Sequence, residues 1–301
     1  MSNSLITIIG PTAIGKTSLS IDIANYFGCD ILSCDSRQFY KELLIGTAPP
    51  SPEEQAQAKH YFIHDRSIFD DYTVGDYEND AIALLDTLYQ EKDKAILIGG
   101  SGLYVDAVLK GFDEFPQIDS KVRANLQQEL EEKGLEYLQE KLRELDVEYS
   151  KIVDIQNPQR VIRALEVCIG TGKTFTEFRV REVKQRNFTP IKIGLNIDRE
   201  KLYERINLRV DLMMEAGLLA EAKKMYPHKN INSLQTVGYR ELFRYFDGEF
   251  TLDFAISEIK KNTRRFAKRQ LTWFRKDEEI KWFDPKDKED IIFYINSQLN
   301  K

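Results

Sequence analysis

Short apolar runs that end in glycine or aspartate alternate along the chain with helical patterns. The run "LITII" at 5–9 ends before Gly10, and the segment "KTSLSIDIANYF" that follows repeats apolar residues at helical spacing. Further strand-like runs lie at 30–35, 95–102 and 191–198. A strand, a glycine loop, a helix and a second strand make a βαβ unit, which requires a parallel sheet and a right-handed crossover. The pattern therefore predicts an α/β fold with a doubly wound parallel sheet as its core.

Between the third and fourth predicted strands the patterns are helical. The segment "SKVRANLQQELEEKGLEYLQEKLRELD" is acidic with a leucine stripe, which is typical of an amphipathic helical pair. The next segment begins with Asn157 as a helix cap and Pro158 at the first helical position. We therefore predict a helical insertion domain at 112–190. The α/β core with its C-terminal helices would then comprise 1–111 and 191–301.

Composition and cysteine usage narrow the class of protein. The chain has 301 residues, of which 42% are hydrophobic and 31% charged, as expected for a globular protein of about two domains. It has no apolar run long enough for a membrane span, and its first residues lack the features of a signal peptide. Three cysteines and three histidines are too scattered for a disulfide framework or a zinc site. We expect a cytoplasmic protein without a membrane partner, and a monomer, since nothing in the sequence demands a dimer.

Charge is unevenly distributed. The net charge is −6, yet "KKNTRRFAKRQLTWFRK" at 260–276 carries eight basic residues and no acidic one. Without these eight, the remaining lysines and arginines number 35 against 49 acidic residues. A basic stripe on an otherwise acidic protein indicates a localised surface for a polyanion such as nucleic acid.

The segment "GPTAIGKT" at 10–17 has the spacing of a P-loop and lies between a predicted strand and a predicted helix. Its glycines let successive backbone N–H groups point inward at the helix start, Lys16 adds a positive charge, and Thr17 can coordinate Mg²⁺. We expect the whole loop to bind a diphosphate through Gly10, Pro11, Thr12, Ala13, Ile14, Gly15, Lys16 and Thr17. The similar "GTGKT" at 170–174 follows a helix and lacks the first glycine, so a helix C-cap with a turn is favoured there.

The phosphate compound that this loop binds depends on the neighbouring strand ends. Nucleotide-hydrolysing P-loop proteins place an aspartate at the end of an apolar strand to position Mg²⁺. Here "AILIGG" ends in glycines followed by Ser101, and the carboxylate best placed at a strand end is Asp35. The carboxyl ends of parallel strands meet at one edge, so the P-loop, Asp35 and Ser101 should converge. Asp35 would hold metal-bound water as in a kinase, accept a proton from an acceptor substrate, or cap a turn.

Seven segments in order resemble the bacterial tRNA dimethylallyltransferase family. They span Gly10 to Arg275 and read "GPTAIGKT", "CDSRQFY", "IGTAPP", "ILIGGSGLY", "NPQRVIRALEV…TGKT", "VGYREL" and "TRRFAKRQLTWFR". The resemblance implies Mg²⁺-dependent transfer of a dimethylallyl group from dimethylallyl diphosphate to the N6 amine of adenosine 37, beside the anticodon. The chain departs from the family in having Pro49 in place of a common lysine, Tyr61 in place of a frequent histidine and Ser101 in place of a frequent threonine.

The resemblance also implies roles for individual residues. Lys16 and the P-loop would stabilise the leaving diphosphate, and Asp35 would orient the adenine amine and take its proton. Ser101 would contact the diphosphate or the base, and a base pocket would be lined by Ser36, Arg37 and Gln38. In the insertion, the contacts with the tRNA anticodon stem-loop would be made by Arg123, Gln159, Arg160, Val161, Ile162 and Arg163.

The basic helix has its own expected contacts. Spacings of three and four residues place basic side chains on one helix face, where they suit phosphate groups: Lys261, Arg264, Arg265 and Lys268. Phe266 and Trp273 lie seven positions apart, and this spacing favours core packing over base stacking.

Two other classes of function share part of these features. A small-molecule kinase would have the same loop and sheet, and a non-catalytic RNA-binding protein would have the same basic helix. The glycines at the end of the third predicted strand argue against the kinase, and the intact Lys16, Thr17 and Asp35 argue against the binding protein.

Overall fold

A parallel β-sheet forms the centre of the protein. The computed structural model describes residues 3–179 and 183–300. Its sheet has six strands in the order β3-β2-β4-β1-β5-β6, and every neighbouring pair is parallel. The strands are β1 Asn3–Ile9, β2 Ile31–Ser33, β3 His60–Tyr61, β4 Lys94–Gly99, β5 Phe188–Leu195 and β6 Lys281–Phe283.

Strand β1 is buried on both faces of this sheet. It pairs with β4 on one side and with β5 on the other. Ile6 and Ile8 pack into the hydrophobic cluster on one face, whereas Leu5 and Ile9 pack into the cluster on the opposite face. A central parallel strand covered on both sides requires a continuous apolar run instead of an alternating one, which is the pattern of "LITII".

Helices cover the sheet and extend the chain beyond it. In chain order the described α-helices are α1 Lys16–Phe27, α2 Pro52–Gln57, α3 Val74–Leu88, α4 Gly102–Lys110, α5 Ser120–Leu145, α6 Val147–Ile152, α7 Pro158–Thr171, α8 Phe175–Phe178, α9 Arg199–Glu215, α10 Leu218–Met225, α11 Tyr239–Phe246, α12 Leu252–Phe274 and α13 Lys288–Leu299. Short 3₁₀ helices lie at Tyr226–His228 and Asn232–Leu234. None of the helices in the described ranges is long and apolar enough to cross a membrane.

The chain divides into two compact units. Unit 1 comprises Met1–Leu109 and Gln185–Lys301 and contains the sheet, and unit 2 comprises Lys110–Lys184 and is helical. The limits of the insertion predicted from the sequence were 112 and 190. Residues 180–182, which fall inside the expected insertion, lie outside the described residues, as do the first two residues and the last residue of the expected core.

Unit 2 has its own hydrophobic core between α5 and α7. Leu138 and Leu142 of α5 and Leu165 of α7 are fully buried in it. The predicted helical pair is confirmed, because α5 is interrupted at Gly134, whose φ of 81° lies in the left-handed region. Gly172 caps the end of α7 with φ 71° and donates its N–H to Cys168, so "GTGKT" is a helix C-cap, as expected.

The four predicted strands are present, and two more were missed. Strands β3 and β6 have only two and three residues, which is too short for a recognisable pattern. Strand β5 begins at Phe188, three residues before the expected start. Pro190 lies inside it in register with Leu5, and proline within a strand is uncommon, so the sequence pattern there gave no indication of a strand.

Candidate active site

The P-loop connects β1 to α1, and its two glycines are required for different reasons. A Cβ atom at Gly10 would lie 2.9 Å from the backbone oxygen of Leu195, so the loop passes too close to β5 for a side chain. Gly15 caps α1 with a φ of 103°, a conformation that residues with a side chain rarely adopt. The loop geometry predicted from the sequence is therefore present, with N–H groups at the start of a helix of 12 residues.

Lys16 folds back over this loop. Its Nζ donates to the backbone oxygens of Gly10 at 3.1 Å and of Pro11 at 2.8 Å. Burial lowers the pKa of Lys16 to about 8, against an opposing contribution from the Asp35 carboxylate. A phosphate group beside Nζ would favour the charged form, because an opposite charge compensates for lost hydration.

A cavity of about 370 Å³ lies beside the loop and is called here the P-loop cavity. Lys16 and Thr17 line it together with Asp35, which follows β2. Arg205 and Arg209 of α9 also line it. The P-loop cavity thus combines backbone donors and three cationic side chains, which is the chemistry of a diphosphate site.

A second cavity of about 500 Å³ lies along α12 and is called the α12 cavity. Its walls include Ser36, Arg37 and Ser101, and residues of α12 described below. The two cavities share the lining residues Thr12, Asp35, Arg209 and Gln270. Asp35 therefore lies where the two cavities meet, with the P-loop on one side and the α12 cavity on the other.

The residues after β2 and β4 converge on this junction. One Asp35 carboxylate oxygen accepts the backbone N–H of Arg37 at 3.1 Å. The Ser101 hydroxyl accepts the backbone N–H of Ser36 at 3.2 Å and donates to the Ser36 hydroxyl at 3.3 Å. The P-loop, Asp35 and Ser101 lie together at the carboxyl edge of the sheet, as the parallel topology requires.

Gln38 differs from its neighbours. It lines the P-loop cavity, whereas Ser36 and Arg37 line the α12 cavity. Its Nε2 donates to the backbone oxygens of Thr47 at 3.2 Å and of Ala48 at 3.1 Å. Gln38 therefore differs from Ser36 and Arg37 in the cavity that it lines, and its place in a base pocket stays a prediction.

Two arginines that line the P-loop cavity were not predicted from the sequence. Arg205 donates to the backbone oxygen of Ile14 in the P-loop at 3.1 Å, and Arg209 donates to that of Thr47 at 3.4 Å. Burial lowers the pKa of Arg209, and the nearby Asp35 carboxylate opposes this shift. A detectable signal was present, since Arg205, Leu208, Arg209 and Leu212 follow the helical spacing i, i+3, i+4, i+7 and all face this cavity.

Phe266 and Trp273 of α12 line the α12 cavity, so the expectation that they pack in the core is wrong. The two residues remain 36% and 40% exposed. The Trp273 indole N–H donates to an Asp106 carboxylate oxygen at 2.8 Å, which fixes the ring. Arg269, also missed in the sequence, lines the same cavity, with its guanidinium 5.7 Å from the centre of the Phe266 ring.

The basic residues expected to meet tRNA phosphates lie on another side of α12. Three of them, Lys261, Arg265 and Lys268, each follow a cavity-lining residue by two positions, which is about 200° around a helix. Lys261 pairs with Glu258, and Arg264 donates to Asn207. Lys268 is exposed and has no ion pair within the described ranges, so it is available to an external phosphate.

In unit 2, two expected tRNA-binding arginines contact one carboxylate. Arg123 and Arg163 contact the same Glu166 oxygen at 3.2 and 3.1 Å, and Arg123 also donates to the Gln159 side chain at 3.3 Å. The arginine side chains are 42% and 40% exposed, whereas that of Glu166 is 8% exposed. Their guanidinium groups are thus held in place and still accessible.

The other residues of 159–163 that were expected to contact tRNA differ in burial. Arg160 is exposed on the first turn of α7. Val161 and Ile162 are fully buried in the core of unit 2, and the prediction that their side chains contact tRNA is corrected accordingly. The amphipathic pattern of α7 explains this, because its apolar stripe begins at Val161.

A divalent cation in the P-loop cavity would need ligands in addition to the protein side chains. The Thr17 hydroxyl and the Asp35 carboxylate line the cavity, and no group of three or more His, Cys, Asp or Glu side chains in the described ranges could hold a metal ion. Mg²⁺ commonly binds through one or two protein oxygens, water and substrate phosphates. The donor set is therefore suited to Mg²⁺ that arrives with a diphosphate.

Comparison with known proteins adds a second line of observation. The family model described as IPP transferase matches residues 38–277. The tRNA dimethylallyltransferase of Flavobacterium johnsoniae is 60% identical, with 98% of each chain aligned. The solved structure of a tRNA isopentenylpyrophosphate transferase from Bacillus halodurans is 36% identical, has a TM-score of 0.74, and is aligned over 99% of this chain and 97% of that one. A eukaryotic dimethylallyltransferase acting on tRNA is 25% identical with a TM-score of 0.74, over 95% of this chain and 75% of that one.

Proposed function

The chain belongs to the IPP transferase family, and from this premise we propose that it transfers a dimethylallyl group from dimethylallyl diphosphate to the N6 amine of adenosine 37 in tRNA, releasing diphosphate. The observation that carries the proposal is the position of Asp35 at the junction of the two cavities. A donor held in the P-loop cavity and a base held in the α12 cavity would meet at this carboxylate.

The P-loop cavity stabilises the leaving group. As the allylic carbon–oxygen bond breaks, negative charge grows on the diphosphate. The inward N–H groups of the loop, Lys16 and Arg209 are fixed around the place where this charge develops, so they need little reorganisation. Mg²⁺ held by Thr17 and the diphosphate oxygens would supply further neutralisation of this charge.

Asp35 acts at the nucleophile. The lone pair of the adenine amine is delocalised into the ring, so the amine attacks poorly unless its proton is removed as the bond forms. The new bond joins N6 to the allylic carbon, the carbon–oxygen bond to the diphosphate breaks, and the N6 proton moves to the Asp35 carboxylate. The Arg37 backbone N–H donates to that carboxylate and keeps it oriented.

The α12 cavity receives the base. Enzymes that modify a base within a structured nucleic acid extrude it from its stack into a pocket. Phe266 and Trp273 offer aromatic surfaces for such a base, and Ser36 and Ser101 offer hydroxyl groups for its edges. We assign Ser101 to the base and not to the diphosphate, because it lines the α12 cavity and its hydroxyl is hydrogen-bonded to that of Ser36.

The rest of the tRNA is bound by positive side chains outside the cavities. In unit 1 these are Arg265 and Lys268 on the exposed side of α12, and in unit 2 they are Arg123, Arg160 and Arg163, which would contact the anticodon stem-loop. We propose that the protein acts on tRNA in the cytoplasm and as a monomer, since one chain supplies both cavities.

A transfer assay tests the proposal. The purified protein is incubated with dimethylallyl diphosphate, Mg²⁺ and unmodified tRNA, and the tRNA is digested and analysed by mass spectrometry. We expect N6-dimethylallyl adenosine from position 37, and none from a tRNA with guanosine at that position. A protein that instead consumes ATP to phosphorylate a metabolite, and forms no prenylated nucleoside, would have the rival kinase function.

A further inference from the structure

One buried carboxylate holds three successive backbone N–H groups of the loop after Leu43. One oxygen of Glu221, on α10, accepts from Leu44 and Ile45 at 2.8 Å each, and the other accepts from Gly46 at 2.9 Å. The Glu221 residue is only 9% exposed. Hydrogen bonds from backbone N–H groups to a buried carboxylate are short and strong, so the loop is fixed at this point.

Tyr239 completes the arrangement from α11. Its hydroxyl donates to the same Glu221 oxygen as Gly46 does, at 2.6 Å. Burial and the Glu221 charge both raise the pKa of Tyr239, so the hydroxyl remains a donor at physiological pH. A Cβ at Gly46 would overlap the Tyr239 ring, which shows how closely the loop approaches it. Two segments of the sequence, "IGTAPP" and "VGYREL", are thereby joined although the sequence assigned neither a role.

The fixed loop continues directly into the candidate active site. The next residue, Thr47, offers its backbone oxygen to Gln38 at 3.2 Å and to Arg209 at 3.4 Å. Both of these side chains line the P-loop cavity. Glu221 and Tyr239 are not among the described residues that line the two cavities, whereas Gly46 and Thr47 of the loop line the α12 cavity.

We propose that Glu221 and Tyr239 are positioning residues, which fix the Thr47 carbonyl and thereby orient the Arg209 guanidinium against the diphosphate. The inference rests on the proposed function, because it assigns Arg209 to the leaving group of the transfer. It deepens that function by extending the diphosphate site to a carboxylate and a tyrosine that touch no substrate.

Binding of inorganic diphosphate with Mg²⁺, measured by isothermal titration calorimetry, tests the inference. Tyr239→Phe removes one hydrogen bond and keeps the ring, and we expect it to weaken binding about three- to tenfold. Tyr89→Phe is the matched control, because the Tyr89 hydroxyl donates to the Ser4 backbone oxygen at 3.1 Å, away from both cavities. An affinity of Tyr239→Phe equal to that of Tyr89→Phe would overturn the inference.

A double-mutant cycle separates positioning from a general loss of structure. If Tyr239 acts through Arg209, then Tyr239→Phe should have no further effect on diphosphate affinity in the Arg209→Ala protein. The same fold-loss in both backgrounds would show that the effect does not pass through Arg209. Gly46→Ala would place a Cβ 2.6 Å from the Tyr239 hydroxyl oxygen, so it pushes the loop and the tyrosine apart without removing the hydroxyl group, and it should give the same dependence on Arg209.

The two proposals fail in different ways. Diphosphate titration requires no transfer. If the variants show the expected cycle but the wild-type protein prenylates no tRNA, the proposed function alone would be overturned. A wild-type protein that prenylates tRNA, with Tyr239→Phe and Tyr89→Phe binding diphosphate equally, would overturn the positioning role alone.

Discussion

The side-chain oxygen of Gln270 accepts the backbone N–H of Thr12 at 2.9 Å, across 258 positions of the chain. The other end of the same amide donates to the Gly100 backbone oxygen at 2.9 Å. One buried side chain of α12 therefore joins the P-loop to the turn after β4. The spacing between the P-loop and the turn that carries Ser101 depends on this bridge.

Gln270→Leu keeps the approximate size of the side chain and removes both hydrogen bonds. Each unpaired buried backbone group costs about 1–3 kcal/mol, so we expect a lower free energy of unfolding together with weaker diphosphate binding. Urea unfolding and calorimetry measure the two effects. Gln139→Leu is a matched control, because Gln139 is equally buried and donates to the Ile155 backbone oxygen in unit 2. It should lower stability without changing diphosphate affinity, and an equal loss of affinity would refute a specific role for Gln270.

Asp35→Asn preserves an acceptor for the Arg37 N–H but removes the base that takes the N6 proton. We expect the single-turnover rate of prenyl transfer to fall by about 10²–10⁴-fold while tRNA affinity is nearly unchanged. Quench-flow kinetics and filter binding measure these quantities. Asp22→Asn, on the exposed side of α1, should leave both unchanged. A collapse of tRNA affinity in Asp35→Asn would instead identify Asp35 as a binding or structural residue.

We expect Lys16 to make diphosphate affinity depend on pH. Its pKa is about 8 in the folded protein and 10.5 ordinarily, so between these values the unfolded chain holds more protons at this group. The contribution of Lys16 to the free energy of unfolding therefore rises with pH from about 8 to 10.5. Diphosphate favours the charged lysine and must draw in a proton above pH 8, so affinity should fall about tenfold per pH unit well above 8.

Calorimetric titrations from below to above pH 8 check this dependence. The Lys16→Ala protein reports the protonation of diphosphate itself, and the difference between the two pH profiles isolates Lys16. Parallel profiles for the two proteins would contradict the assignment.

Arg265 on the exposed side of α12 is expected to contact a tRNA phosphate. Arg265→Ala should weaken binding by a similar factor for all tRNAs and reduce the slope of log affinity against log salt by about one. Filter binding over a range of salt concentrations measures both. Lys288→Ala removes a positive charge from α13 and serves as the control. An unchanged slope in Arg265→Ala would show that this side of α12 does not meet phosphate.

The sequence was informative where local pattern and chemistry coincide. The P-loop was predictable because Gly10 and Gly15 are demanded by backbone geometry, and the convergence of Asp35 and Ser101 because parallel strands share a carboxyl edge. Both predictions depend on residues next to apolar strands, and the hydrophobic pattern identifies those strands.

Arg209 and Gln270 could not be placed in this way. Helical spacing marks Arg209 as part of one face of α9, but it does not specify that this face, or the face of α12 that carries Gln270, packs at the sheet edge. Phe266 and Trp273 were assigned to the core because apolar residues at helical spacing look the same whether they face a core or the wall of a cavity. The reverse error occurred at Val161 and Ile162, where a segment taken as a unit for tRNA contact includes the first residues of a buried stripe.

The meeting of the two cavities at Asp35 has a consequence for the order of events in the proposed reaction. Donor and acceptor occupy spaces with largely different walls, so neither needs to leave before the other binds, and the prenyl group passes between them without residing on the protein. Initial-rate plots at several fixed concentrations of the second substrate should then intersect instead of running parallel. No radiolabelled prenyl group should remain attached to the denatured protein.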